Sequence, residues 1–277
     1  MLTLIVNADD FGLNAQRDRG LIEAFQCGLV TSASLIANGA SFATAVAAAG
    51  DCGLPVGVHL NLSEGATLTG PIAGLTDPSG QLPGKEAMRC RLLAGRCAPT
   101  ALHRELAAQI ERVLASGLQP GHLDGHQHCH VYPEVVPIVI DLARQYGIDA
   151  LRSARPADPD DAPIPLLLQN DLALLRRCGG AAQAAFRAAG LRTPDGLWGL
   201  PLLHSLNTES LCAVLDSLPA GDWELMTHPG YPVPHGRPFE SAQRQVELQA
   251  LTSAAARRVV EERGIRLCRF SDLPCVC

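Results

Sequence analysis

Short runs of aliphatic and β-branched residues recur along this chain, at 2–8, 29–37, 56–62, 121–126, 148–152, 196–200, 223–227 and 265–270. Helical periodicity fills most of the intervals between them. Helices are expected at 14–28 with Asn14 as cap, 41–49, 100–116, 133–146 with Pro133 in the first turn, 166–189, 208–218 and 239–263. Strands that alternate with helices in this way pair in parallel, in an open sheet or a closed barrel. Most of the residues able to do chemistry fall at, or just past, the end of a strand: Asp9 and Asp10, His59, Asp124 and His126, Arg152, His228. Barrels and open α/β sheets place their active sites there. No break in composition marks a domain boundary, so a single domain over 1–277 is expected. The Gly-, Pro- and Thr-rich interval 63–99 should be a long surface excursion near the site, with at most one short helix, and 156–165 a loop.

Four of the nine histidines lie in His122-Leu123-Asp124-Gly125-His126-Gln127-His128-Cys129-His130. Neutral imidazole is the commonest protein metal ligand, whereas ordinary polar turns use Gly, Pro, Asn, Asp and Ser. On a strand over 121–126, His122, Asp124 and His126 would share one face. Asp9 and Asp10, being adjacent, would point to opposite faces of an extended chain; one can hold a metal while the other works from a different angle. Taken alone, that pair reads equally well as a helix cap, and His59 as a core residue. Taken together, Asp10, His59 and His126 from three strand ends form a two-histidine, one-carboxylate face with positions left open, as a catalytic metal requires. Such a metal acidifies water and polarises a carbonyl, a nearby carboxylate serving as base and a histidine as acid. His228, in Met226-Thr227-His228-Pro229-Gly230, is the distant histidine best placed as the acid. His128 and His130 could support the site or touch substrate; His103, His204 and His235 read as surface residues.

Other functions are disfavoured. The net charge is −6 and no basic run occurs, which argues against nucleic acid and anionic membranes. Aromatics make up 4% of the chain, so the core must be built from Ala, Leu, Val and Ile. There is no Gly-x-Ser-x-Gly elbow and no phosphate-cradling loop before a helix. The apolar opening segment, stopped by two carboxylates and without a basic leader, reads as a buried strand, and no apolar run is long enough to span a bilayer; a cytoplasmic location is the expectation. The ten cysteines are dispersed and read as buried reduced thiols, with Cys275-Val276-Cys277 a frayed tail.

Asn7-Ala8-Asp9-Asp10-Phe11-Gly12, the stretch from Val30 to Gly39, Gly57-Val58-His59-Leu60, the 122–130 cluster, His228-Pro229-Gly230-Tyr231 and Arg244-Gln245-Val246-Glu247-Leu248 together resemble the YdjC-like carbohydrate deacetylase family. The resemblance spans nearly the whole chain. Members include chitooligosaccharide deacetylases and enzymes acting on N-acetylglucosaminyl lipids. The resemblance implies a TIM-like (β/α) barrel, regular or irregular, of mostly parallel strands. It also implies hydrolysis of an N-acetyl group from an N-acetylglucosamine-containing substrate, a chitooligosaccharide or a glycolipid, by metal-activated water. Asp10, His59 and His126 would be the metal ligands, Asp9 the base and His228 the acid, with Asp124, His128, His130 and Arg152 as candidate substrate contacts. Gly125 and Cys129 depart from the family pattern, which often has Ser and Val there, without removing a metal contact. The ligand set suits zinc, and relatives described with magnesium keep that ion in view. A homodimer is compatible. Two alternatives are a metal-dependent hydrolase of another amide or of a phosphoester, and a metal- or sugar-binding module without turnover.

Overall fold

A computed structural model describes residues 1–159 and 164–275; parts of the expected loop at 156–165 and of the terminal Cys-Val-Cys lie outside the described residues. The sheet is centred on β1, Leu2–Phe11, whose residues from Thr3 onward are all buried. Both faces of this strand are covered, which accounts for its continuous apolar run where a half-exposed strand would alternate. One edge of β1 pairs with β6, Gly221–Thr227, in register from Leu2↔Gly221 to Ala8↔Thr227. The other edge is shared by β7, Arg266–Leu267, near its start and β2, Ser32–Leu35, near its end. With β3, Val56–Leu60, β4, Leu123–Gly125, and β5, Gly196–Trp198, the order is β4-β3-β2-β1-β6-β5, every neighbouring pair parallel.

The expected strand at 148–152 is reduced to single bridges. Leu123↔Leu151, Ala150↔Arg192 and Pro156↔Leu197 carry the pairing from β4 to β5. Successive amides there turn to different partners, Leu151 to the carbonyl of Arg192 and Arg152 to that of Leu123. These bridges complete the ring, and the result is an irregular parallel (β/α) barrel. The other expected strands appear, mostly shorter.

The helices are α1 Ala15–Cys27, α2 Phe42–Cys52, α3 Lys85–Leu93, α4 Pro99–Ala115, α5 Val136–Tyr146, α6 Gln169–Ala188, α7 Thr208–Ser217, α8 Gln243–Leu251 and α9 Ala254–Glu262. Asn14 caps α1, its side chain accepting from the Arg17 amide. Two expectations change. The first-turn proline of α5 is Pro137, Pro133 lying in the turn before it. The single helix expected at 239–263 is two, because Ser253, extended at φ −70°, ψ 145°, ends one and accepts from the Ala256 amide to cap the next.

The 63–99 excursion is no loose surface loop. Ile72, Leu75, Leu82, Met88, Leu92 and Cys97 are buried in the same core cluster as the strands. Glu105 of α4, fully buried, accepts from the amides of Leu68 and Thr69 and pins the excursion to the barrel wall. No helix among the described residues is long and apolar enough to cross a membrane.

Candidate metal centre

The β1 register with β2 breaks between Ala8 and Phe11, and Asp10 lies in the left-handed region at φ 65°. A bulge re-aims side chains and is common beside active sites. Here it undoes the alternation that would part Asp9 from Asp10, and both carboxylates line one cavity of about 350 Å³ together with His59, His126 and His228.

Asp10, His59 and His126 each bring a ligand atom within 4.8 Å of the others. Asp10 Oδ1 lies 2.8 Å from His126 Nδ1 and 3.6 Å from His59 Nε2. It is buried, and among the described residues no donor meets it in good hydrogen-bond geometry. The other oxygen, Oδ2, accepts from Arg17 Nη1 at 3.0 Å. Burial resists ionisation of Asp10, but His126, His59 and Arg17 outweigh it and hold the carboxyl well below the ordinary range. Burial would likewise push His59 down, but Asp124, Asp10 and Asp9 carry it up to about 10; His126 is raised too, by Asp10 and Glu64 against burial. An unsatisfied carboxylate oxygen among imidazoles drawn towards protonation marks a place short of positive charge. The donor set of two imidazoles and a carboxylate fits a divalent cation there.

Beneath this face lies a second group of similar composition, Asp9, His59 and Asp124, whose oxygens are all engaged. Asp124 Oδ1 is 2.8 Å from His59 Nδ1, and Oδ2 accepts from Ser34 Oγ at 2.8 Å and lies 2.8 Å from Arg152 Nη1. Both Asp9 oxygens accept from Arg152, at 2.6 and 2.7 Å, and Oδ1 also accepts from Asn7 Nδ2. Arg152 reaches Glu224 as well, at 2.8 Å. Burial opposes the ionised form of Asp9, yet Arg152 and His59 hold its pKa below the usual value.

Asp124, His130 and Arg152 are fully buried and absent from the cavity wall, a placement that the expected substrate contact does not fit. Asp124 orients His59, Arg152 fixes Asp9, and His130 Nε2 sits 3.3 Å from the Arg152 carbonyl oxygen. His128 does reach the cavity, because Gln127 and His128 are both left-handed, at φ 53° and 57°; β4 ends at Gly125 and the cluster continues as a tight turn. His122 stacks on Phe270 with centroids 3.8 Å apart. A Cβ on Gly57 would meet the His122 ring at 2.2 Å, which accounts for the glycine two residues before His59.

His228 stands at the end of β6. Its amide donates to Glu247 at 2.6 Å, and its carbonyl accepts from Arg244 at 3.2 Å. Its Nε2 is 3.9 Å from Asp9 Oδ2. Burial pushes the ring down to about 3, against the pull of Asp10 and Asp9, so it rests neutral.

Arg17, Ser34, Glu64 and Glu224 escaped the sequence reading. Glu64 lines the cavity, its Oε1 3.5 Å from His126 Nε2 and its Oε2 accepting from Arg237 at 2.8 Å. Its place just past the His59 strand was the signal available. Arg17, seven residues after Asp10 in an amphipathic helix, offered none. His204, read as a surface residue, is exposed but also borders the cavity.

A family model described as YdjC-like protein matches residues 3–262. A carbohydrate deacetylase of Mus musculus is 36% identical over 98% of this chain and 94% of its own length. A chitooligosaccharide deacetylase of Serratia marcescens is 34% identical over 98% of each. The crystal structure of a protein from Enterococcus faecalis V583 superposes with a TM-score of 0.71 at 25% identity, covering 97% of each chain.

Proposed function

This chain belongs to the YdjC-like protein family, and from that premise we propose that it is a metal-dependent deacetylase that removes the N-acetyl group from an N-acetylglucosamine-containing substrate. The observation that carries the reading is the unpartnered Asp10 Oδ1 facing two imidazoles on the wall of a cavity. Asp10, His59 and His126 would hold the ion, zinc or magnesium. When bound, it would supply Lewis acidity to the amide carbonyl and ease the deprotonation of water.

The protein's own groups divide the remaining work. Asp9, kept ionised by Arg152, is the base that takes the proton of the attacking water. His228 starts neutral and can serve as acid only after gaining a proton during turnover; its position 3.9 Å from Asp9 Oδ2 lets it take that proton and pass it to the departing amine. Asp124, bonded to His59 Nδ1, fixes the ring so that Nε2 faces Asp10, the usual service of a carboxylate behind a ligating histidine. Arg152 and Asp124 are thus positioning residues.

The test is acetate release from N-acetylglucosaminides by the purified, zinc- or magnesium-loaded protein. EDTA is expected to abolish it, with recovery on adding metal back, and His126→Ala to be inactive. Activity that persists in EDTA and in His126→Ala would refute the reading.

A further inference from the structure

We propose that the aliphatic wall of this cavity is a binding subsite for an apolar aglycone. The preferred substrate would then be an N-acetylglucosaminide whose sugar carries an alkyl, acyl or similarly apolar group in place of a further sugar. The inference rests on the deacetylase reading for the site and narrows its substrate class.

The cavity lining is of two kinds. One is polar: Asp10, Glu64 and His128 on the side already described, and Lys85, Arg89 and Asp171 where α3 meets α6. The other is made by Leu168, Leu172, Leu175, Leu200, Leu203 and Met226, drawn from the turn before α6, α6 itself, the segment after β5 and the end of β6. Six aliphatic side chains offer a sugar no donor or acceptor, so hydroxyl groups seated there would lose their water partners without replacement. Nor, among the described residues, does the cavity offer an aromatic ring free of other contacts. Phe239 on the wall has the guanidinium groups of Arg244 and Arg17 over its ring, 4.4 and 5.1 Å from the centroid, and the His204 and His228 rings set edge-to-face to it. The lining cations of α3, Lys85 and Arg89, are both engaged by Asp171 of α6, which lines the cavity with them; the pairing argues against an anionic aglycone.

The apolar surface also continues outward. Leu166 and Leu167 share a turn with Leu168 and are 84% and 75% exposed, among the most exposed large apolar residues described. A chain longer than the cavity would meet more apolar surface at the rim.

The experiment compares methyl, butyl and octyl N-acetylglucosaminides, below their micelle concentrations, with N,N′-diacetylchitobiose on the metal-loaded full-length protein. Acetate release gives kcat and KM, and calorimetry gives Kd without turnover. Each methylene that enters the subsite should lower KM and Kd by about fourfold, the transfer free energy of one CH₂, with the octyl glycoside falling below the disaccharide. Leu172→Asn and, in case that buried change impairs folding, the half-buried Leu203→Asn should shrink the octyl-to-methyl ratio towards one. Equal constants for methyl and octyl glycosides, or tighter binding of the disaccharide, would overturn the subsite while leaving deacetylation standing. Tighter octyl binding with no acetate from any substrate would support the subsite and sink the deacetylase reading.

Discussion

Two groups of carboxylates share His59, and they differ in what their oxygens touch. Asp124, on Nδ1, and Asp9, joined to it through Arg152, are saturated by that guanidinium, Ser34, Asn7 and the imidazole. Around Nε2, Asp10 keeps one buried oxygen without a hydrogen-bond partner among the described residues. Similar ligand types within similar distances therefore do not make equivalent sites. The saturated group has no oxygen left for a cation, and the group with an unpaired carboxylate oxygen is where a cation belongs. A buried guanidinium at the centre of the first does for Asp9 and Asp124 what a metal would do for Asp10.

Substitutions can break that contrast. Asp10→Asn removes the one anionic ligand of the open group and should eliminate both acetate release and retention of zinc on dialysis; a variant that keeps stoichiometric zinc would move the ion elsewhere, most directly into the saturated group. Asp9→Asn leaves the open group intact. It should lose about 10²–10⁴-fold in kcat, the usual worth of a general base, while zinc stays bound, as measured by parallel metal analysis and kinetics. Asp124→Asn acts one step further back. By loosening the orientation of His59 it should weaken metal affinity by about 10–100-fold, seen as a shifted chelator titration, with activity restored at saturating metal. Failure of added metal to restore it would give Asp124 a direct part in the reaction.

The barrel was legible because buried parallel strands leave short aliphatic runs, and because the polar residues that end them had to face a common rim. What stayed hidden depends on single backbone angles and on burial. The bulge after Ala8 and the positive φ of Asp10 bring two adjacent aspartates to one cavity, which an alternating strand forbids. Arg152 and Asp124 hold strand-end positions in the sequence much as His59 does, yet they lie under it, and nothing in such a position separates wall from foundation. Arg17 looks like any charged residue on a surface helix until α1 packs so closely on the His228 loop that a Cβ on Gly20 would sit 2.5 Å from Gly230. The split at Ser253 is an N-cap whose side-chain oxygen outweighs continued periodicity.

The histidines extend the same contrast to pH, with the smallest expected effect. His59 and His126 face carboxylates, and their pKa values are raised. His122 and His130 lie against Phe270 and Phe186; burial, uncompensated by Asp124, pushes them down to about 4 and about 3. In the metal-free protein the two pairs act in opposite windows. A raised pKa gives stability that is fully present below the unfolded value near 6.5 and is lost as pH climbs through the folded one, so His59 and His126 add no slope on the acid side. A depressed pKa means that unfolding takes up a proton, so stability falls as pH drops from about 6.5 towards the folded value, by about 1.4 kcal/mol per pH unit for each such ring. His130→Gln can keep a donor for the Arg152 carbonyl but cannot titrate, and it should flatten the metal-free unfolding free energy between about pH 4.5 and 6.5 by that amount. Denaturant melts across this range measure it directly. An unchanged slope would mean that His130 is already protonated in the folded state, and that its buried surroundings resemble the carboxylate-lined group more than the aromatic packing around it indicates.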